Sequence, residues 1–456
     1  MAAEAFDVVV LGTGAGGLTA AEHAKQAGAN VALVEKDRPG GDCTYYGCVP
    51  TKALIHSAKV LHYIRRAQEY GLPRVDVQPD FREVMAHAQR VIDKVSAEGS
   101  FEPWRDRGFR VFQGEGRFVD PHELEVAGER VRGDKFVIAT GTDPAVPEIA
   151  GLAEAGYITN IQAVSLPEQP MELAIIGAGP IGTEFSQFFT RMGTKVTVFG
   201  KYDQILPKED PEVAGRLRTI LEGEGVTIHT GAKVDQVSTQ GGKKLVVASK
   251  GGERLEVLVD EILAATGRRP ATSEIALDVP GVATRRGGWI GVDDTLRTSA
   301  EHIWAVGDCV GRLLFTHVAS YQGDIVGHNM FAKDGDLQRY DGSVIPWATF
   351  TEPPLARVGL TEQQAREKHG DVRVARLEFS DIERAHIMLE PEGMMKVVAD
   401  ADKRILGATI LGPHADELIH ELALAVKLGL RAGDVRSLIH AYPTLAEGVR
   451  EAVNRL

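Results

Sequence analysis

At 456 residues the chain is long enough for about two to four domains with substantial cores, and 43% hydrophobic with 25% charged residues and no low-complexity run reads as globular. A formal net charge of −13 argues against a nucleic-acid binder, which needs a basic footprint on the phosphates. No segment approaches about 18 uninterrupted apolar residues, so no membrane span is expected.

The chain opens MAAEAFDVVVLGTGAGG, with no basic stretch ahead of a signal-type apolar run, so a cytoplasmic protein is expected. DVVVL reads as a strand, Gly12-Thr-Gly14-Ala-Gly-Gly17 as a tight loop, LTAAEHAKQAG as a helix and NVALVEK as a second strand. In that setting G-x-G-x-x-G is a dinucleotide loop. Its glycines let the backbone approach a pyrophosphate, and the helix N-terminus offers free N–H groups and positive dipole. Glu35, 23 residues beyond Gly12, ends the second strand, where a carboxylate accepts hydrogen bonds from a ribose.

Next comes Gly40-Gly41-Asp42-Cys43-Thr44-Tyr45-Tyr46-Gly47-Cys48-Val49-Pro50-Thr51-Lys52, which holds two of the three cysteines. A disulfide across so short a loop removes little chain entropy. Zinc needs about four ligands, and Cys309 is remote, with no Cys or His spaced as a companion. Redox chemistry is left to be tested against the rest of the chain. VPTKALIHSAKVLHYIRRA reads as a helix with Pro50 in its first turn, and a helix N-terminus lowers a thiol's pKa.

From Met171 the plan repeats: the strand ELAII, the loop Gly177-Ala-Gly179-Pro-Ile-Gly182, the helix TEFSQFFTRMG and the strand KVTVFGK. Two loops imply two dinucleotides. The place of Glu35 is taken here by Gly200, followed by Lys201, an arrangement compatible with a 2′-phosphate. Each copy closes alike, at Thr140-Gly141 and at Thr266-Gly267, where the chain crosses out of one nucleotide unit into the next. HIWAVGDCVGRLLFTHVASYQGDIVG then reads as strand, loop and helix. Asp308 ends the strand, where it can bind a polyol hydroxyl, and a helix begins near Thr316 with its positive end toward an anionic group. Beyond about Val344 no phosphate loop recurs, and the strands and helices form a separate α+β domain suited to subunit contact.

This ordered set, GTGAGG, GGDCTYYGCVPTK, GAGPIGTE, ATGRRP, AVGD and YPTLAE, resembles the FAD- and pyridine-nucleotide-dependent disulfide oxidoreductases, among them dihydrolipoamide dehydrogenase, glutathione reductase and mercuric reductase, over essentially the whole chain. The resemblance implies an α/β fold with an FAD domain in two parts (1–146 and 269–340), an NAD(P) domain (147–268) and a C-terminal α+β dimerisation domain (341–456). FAD is expected on the first loop, with Glu35 on its ribose, Asp308 on its ribityl chain and Thr140, Gly141, Gly267 and His317 among the cofactor contacts. NADPH or NADH is expected on the second loop, and the protein as a homodimer. In the family, hydride passes from nicotinamide to flavin N5, and the flavin reduces a disulfide matching Cys43–Cys48. Cys48 is then the flavin-facing thiolate and Cys43 the exchanging thiol, with Lys52 and Glu184 as the ion pair beside N5.

The chain departs from the family near its C-terminus. The usual His-Pro-Thr with a following Glu is here Tyr442-Pro443-Thr444 with Glu447, and a phenol with a pKa near ~10 is a poor base at neutral pH. His440 matches a family histidine that is not the base. Mercuric reductases also carry tyrosine at this place, yet this chain ends AVNRL without their cysteine pair. The expected acceptor is a small molecule or a metal ion, delivered electrons without a histidine base. The alternatives are a dihydrolipoamide dehydrogenase or low-molecular-weight disulfide reductase, and a redox-sensing flavoprotein with little turnover. No resident metal is expected, and Cys309 is expected to be a buried free thiol.

Overall fold

The computed structural model describes residues 3–96, 99–333 and 335–456. They form two compact units. The first gathers residues up to Pro50, His87–Ala145 and Gly267–Asp341; the second gathers Thr51–Ala86, Val146–Thr266 and Gly342–Leu456.

The first unit is built on a sheet whose parallel core runs Arg110–Gln113, β2 (Val31–Glu35), β1 (Glu4–Leu11), Glu129–Ile138 and Ile303–Ala305. An antiparallel pair, Glu123–Val126 and Gly116–Asp120, extends it beyond Glu129–Ile138. Parallel strands covered on both faces read as unbroken apolar runs, and Val8, Val9 and Val10 are fully buried. Helix α1 (Ala15–Gln26) turns Ala20, Ala21 and Ala24 inward. It crosses the helix Thr316–Asn329 at very short range: a methyl on Gly323 would fall 2.6 Å from the Gly16 carbonyl oxygen. That close crossing brings the start of Thr316–Asn329 to the glycine loop.

In the second unit a parallel sheet, ordered Thr227–Thr230, Lys195–Gly200, Glu172–Ile176 and Glu261–Ala264, repeats the first in miniature. The C-terminal part is a five-stranded antiparallel sheet, Trp347–Thr349, Leu355–Gly359, Ile405–Leu411, Met394–Ala399 and Arg373–Glu378, with the helices Ala415–Leu428 and Ala446–Asn454. Lys396, only 5% exposed, joins the two parts. Its ammonium lies 2.9 Å from Asp210, Glu212 and Glu362, so this buried cation is fully paired.

Two helices carry the cysteine segment, α2 (Gly41–Tyr45) and α3 (Cys48–Arg65). Beyond its first turn α3 is fastened within the second unit. Lys59 pairs with Glu352 at 2.8 Å, Tyr63 bonds Glu390, and Arg66 donates to the Leu389 carbonyl. No helix among the described residues is long and apolar enough to cross a membrane.

Candidate functional site

The two glycine loops have the same construction. Gly12 (φ +98°) and Gly177 (φ +117°) sit in the left-handed region, and a methyl on either would strike the carbonyl oxygen of the crossing segment, Ala139 at 2.4 Å or Ala265 at 2.2 Å. Gly17 and Gly182 press on the carbonyls of Gly12 and Gly177 at 2.1 and 2.0 Å by the same measure. The middle glycines differ: a methyl on Gly14 or Gly179 would meet nothing within 4 Å. Gly14 and Gly179 are also the N-caps of α1 and of Pro180–Met192, and no side chain caps either helix. Open space over bare N–H groups at a helix start suits a pyrophosphate, so the residues present fit a dinucleotide at both loops.

The loops differ in their flanking strands. Glu35 Oε2 accepts from the Thr13 backbone N–H at 2.8 Å and from its hydroxyl at 2.7 Å, while Oε1 accepts from the Asp37 N–H. The corresponding pair in the second loop is Ala178 and Gly200, and a side chain on Gly200 would bring its first carbon to 2.8 Å from the Ala178 Cβ. Gly200 is therefore not open space into which a carboxylate can simply be placed. Lys201 beside it is exposed.

Cys43 is half-buried and Cys48 exposed. The Cys48 Sγ lies 3.6 Å from the hydroxyl of Thr316, the first residue of its helix, and Cys48 itself opens α3. Two helix N-termini therefore face one sulfur, which favours its thiolate. The Cys43 thiol is driven far above the ordinary range, first by its hydrogen bond with Cys48, then by burial and the charge of Cys48. Lys52 follows one helical turn after Cys48, pairs with Glu184 at 2.8 Å and lies over the Phe350 ring. Glu184, 6% exposed, also accepts from the Phe350 N–H. Cys309 is fully buried and donates to the Val306 carbonyl; burial pushes its thiol up to about 12.

Asp308 does not end the strand, which stops at Ala305; it lies in the short 3-10 turn Gly307–Val310 just beyond, and burial raises its pKa against the opposing charge of Arg268. The Thr142 hydroxyl donates to it at 3.3 Å. His317 stacks on Phe315 at the start of the same helix. Sequence reasoning passed over Thr13, Thr142 and Arg268, and named Thr316 only as a helix start, not as a partner of Cys48. Arg268 and Thr316 stood inside quoted motifs, but their partners lie far away in the chain.

In the C-terminal part Tyr442 is 72% exposed and joined to Pro443 by a cis peptide bond. The His440 side chain is 4% exposed, and both ring nitrogens are engaged: Nε2 with Glu421 at 3.1 Å and Nδ1 with the Leu438 carbonyl. Glu447 accepts from the Thr444 N–H at the start of the last helix. No base of the usual kind stands in for the missing histidine on this segment.

Two nucleotide loops, a cysteine pair at a helix start and a separate C-terminal sheet define a nucleotide-dependent thiol–disulfide oxidoreductase. Residues 6–323 match the pyridine nucleotide-disulphide oxidoreductase family, and residues 345–453 match that family's dimerisation domain. Mercuric reductase from Lysinibacillus sphaericus is 33% identical over 98% of this chain and 82% of its own length. Dihydrolipoyl dehydrogenase from Thermus scotoductus is 36% identical over 99% of this chain and 97% of its own. A solved structure, the Cu(II) complex of the HOCl-induced flavoprotein disulfide reductase RclA from Escherichia coli, superposes with a TM-score of 0.90 at 31% identity and covers 99% of both chains. The chain belongs to the pyridine nucleotide-disulphide oxidoreductase family, and it is a flavoprotein enzyme of that type. Members of the family use FAD and NAD(P)H.

Proposed function

We propose that this enzyme passes electrons from NAD(P)H through FAD and the Cys43–Cys48 pair to a metal ion or another electrophile, in the manner of the mercuric-reductase branch. The observation that carries the choice of acceptor is the C-terminal segment: Tyr442 replaces the base, and His440 is committed to Glu421 and Leu438. Oxidising a dithiol needs a proton taken from the attacking thiol, and general-base help there typically contributes about 10² to 10⁴-fold. A metal ion or quinone brings no thiol proton to be removed and makes no such demand. The names of the relatives agree in kind, a mercuric reductase and a copper complex of a flavoprotein disulfide reductase.

In this reading the first unit seats FAD through Gly12, Gly14, Gly17, Glu35 and Asp308. Bound there, FAD would supply the two-electron transfer between NAD(P)H and the disulfide. Gly177, Gly179, Gly182 and Lys201 hold the nicotinamide dinucleotide, with no carboxylate to exclude a 2′-phosphate. Cys48 carries the thiolate because two helix starts stabilise it, and Cys43 exchanges with the acceptor. The C-terminal domain pairs two subunits, and the enzyme works in the cytoplasm, where a close cysteine pair serves redox chemistry rather than stapling.

The dihydrolipoyl dehydrogenase reading is the rival, favoured by the 36% identity over nearly full length. A steady-state screen separates the two, with Hg(II), Cu(II), a quinone, lipoamide and glutathione disulfide as acceptors and both nicotinamides as donors. Turnover with a metal ion or quinone and little with lipoamide supports the proposal; fast lipoamide turnover rejects it.

A further inference from the structure

The segment Gly41-Asp42-Cys43 sets a carboxylate directly before the first relay cysteine, and in the first unit that carboxylate has a buried partner. The Asp42 main-chain carbonyl accepts from the N–H groups of Tyr46 at 2.8 Å and Gly47 at 2.7 Å, which closes the loop between the cysteines. The side chain lies against the same loop. A methyl on Gly47 would fall 3.1 Å from Asp42 Oδ2 and 3.2 Å from the Cys43 Cα. Oδ2 is 3.1 Å from Arg268 Nη2, and the Arg268 side chain is only 12% exposed.

Arg268 is held independently of Asp42. Its Nε donates to the Thr142 hydroxyl at 2.6 Å and its Nη2 to the Thr142 carbonyl at 3.0 Å. The Thr142 hydroxyl in turn donates to Asp308. One guanidinium thus faces a carboxylate of the cysteine loop and, through Thr142, the carboxylate proposed to seat the flavin polyol. The charge of Asp42 also raises the pKa of Asp308, and that of Arg268 lowers it, so the three groups act on one another.

We infer that Asp42 and Arg268 form a charge pair that poises the Cys43–Cys48 couple: the guanidinium anchors the loop, and the balance of the two charges sets how readily the disulfide accepts electrons. The inference rests on the relay reading proposed above. Reduction of the disulfide breaks the S–S bond and takes up two electrons and two protons; at neutral pH Cys48 then releases one proton. The reduced pair therefore carries one negative charge that the oxidised pair lacks. A fixed carboxylate packed into the loop opposes that charge, and the guanidinium offsets it. Removing either one alone shifts the couple, in opposite directions.

The test uses the purified holoenzyme equilibrated with dithiothreitol and its cyclic disulfide, with the thiol state of Cys43 and Cys48 read by alkylation and mass spectrometry. Asp42→Asn keeps the size and a hydrogen bond to Arg268 but removes the charge. It should move the exchange constant about tenfold toward the dithiol, equivalent to about 30 mV. The alkylation pKa of Cys48 should fall by about one unit with it. Arg268→Gln should move both quantities the other way, and the double variant should return close to wild type. Single variants that shift in the same direction, or neither by more than about twofold, overturn the assignment and leave Asp42 as loop packing only. If oxidised wild type forms no Cys43–Cys48 disulfide at all, the relay reading itself fails, and that outcome is distinct from a disulfide that forms but ignores position 42.

Discussion

The methyl of Ala178 fills the space that a side chain at Gly200 needs, with only 2.8 Å between their Cβ positions. In the first loop the same two places hold Thr13 and Glu35, hydrogen-bonded to each other. Nucleotide preference at the second loop is therefore set by a pair of residues. Gly200→Glu alone should overpack the loop, at a cost of about 1–3 kcal/mol, and lower kcat/KM with both nicotinamides. Ala178→Gly combined with Gly200→Glu should raise the NADH-to-NADPH ratio of kcat/KM by about tenfold, since a hydrogen bond to a charged group is worth roughly 1.5–3 kcal/mol. Wild type should use NADPH at least as well as NADH; a strong NADH preference would remove the argument.

The division of labour between the cysteines is checked by absorbance. Two-electron reduction of the holoenzyme should produce a long-wavelength thiolate-to-flavin band. Cys48→Ser should abolish it, and Cys43→Ser should show it before any reduction, because Cys48 is then a permanent thiol at two helix starts. A band indifferent to both changes would assign the relay elsewhere.

Replacing Tyr442 tests what its phenol has displaced. Tyr442→His should raise dihydrolipoamide oxidation by about 10-fold or more while leaving metal-ion or quinone turnover near wild type. The residue is 72% exposed, so the exchange should leave the thermal midpoint almost unchanged. A variant unaltered on both substrate types would show that position 442 has no part in proton transfer.

Acid should destabilise the protein in two stages. His62 lines a cavity of about 480 Å³ with Arg66, Arg191, Glu224, Glu352 and Glu390, and burial, then the charge of Arg191, lowers its pKa from 6.5 to about 4. The unfolded chain binds that proton more tightly, so the stability it contributes is complete above pH 6.5 and lost as pH falls toward 4. For Glu362 burial is outweighed by hydrogen bonds from Lys396 and Arg366, which lower it from 4.5 to about 2; its contribution is lost between those values. Thermal melts across pH 8 to 3 should show both stages, and His62→Gln should erase the upper one. A midpoint flat between pH 6.5 and 4.5 in wild type would contradict the assignment of His62.

The sequence was legible where local structure depends on neighbours in the chain. The glycine loops could be read because turn, helix start and flanking strand are contiguous, and Glu35 and Gly200 because strand length fixes the count from the first glycine. The helix opening at Cys48 followed from Pro50 and the apolar spacing after it. What stayed hidden was set by tertiary approach. Nothing local announces that Arg268 turns back onto Asp42, or that Lys59 and Tyr63 of α3, and Arg66 just past its end, find Glu352, Glu390 and Leu389 in the second unit. The Glu421 partner of His440 lies a whole helix earlier. The single-letter change at Gly200 was visible, but its reason was not, since Ala178 matters only once two strands' ends are side by side.

Cys309 has a practical consequence. Sealed in the core of the first unit with its thiol bonded to the Val306 carbonyl, it is out of reach of any alkylating reagent until that core opens. Titrated in the reduced native state, the enzyme should present two reactive sulfhydryls, and a third should appear only at the rate at which the central sheet comes apart. The chain therefore carries its own unfolding clock, readable by counting labels on an intact mass spectrum.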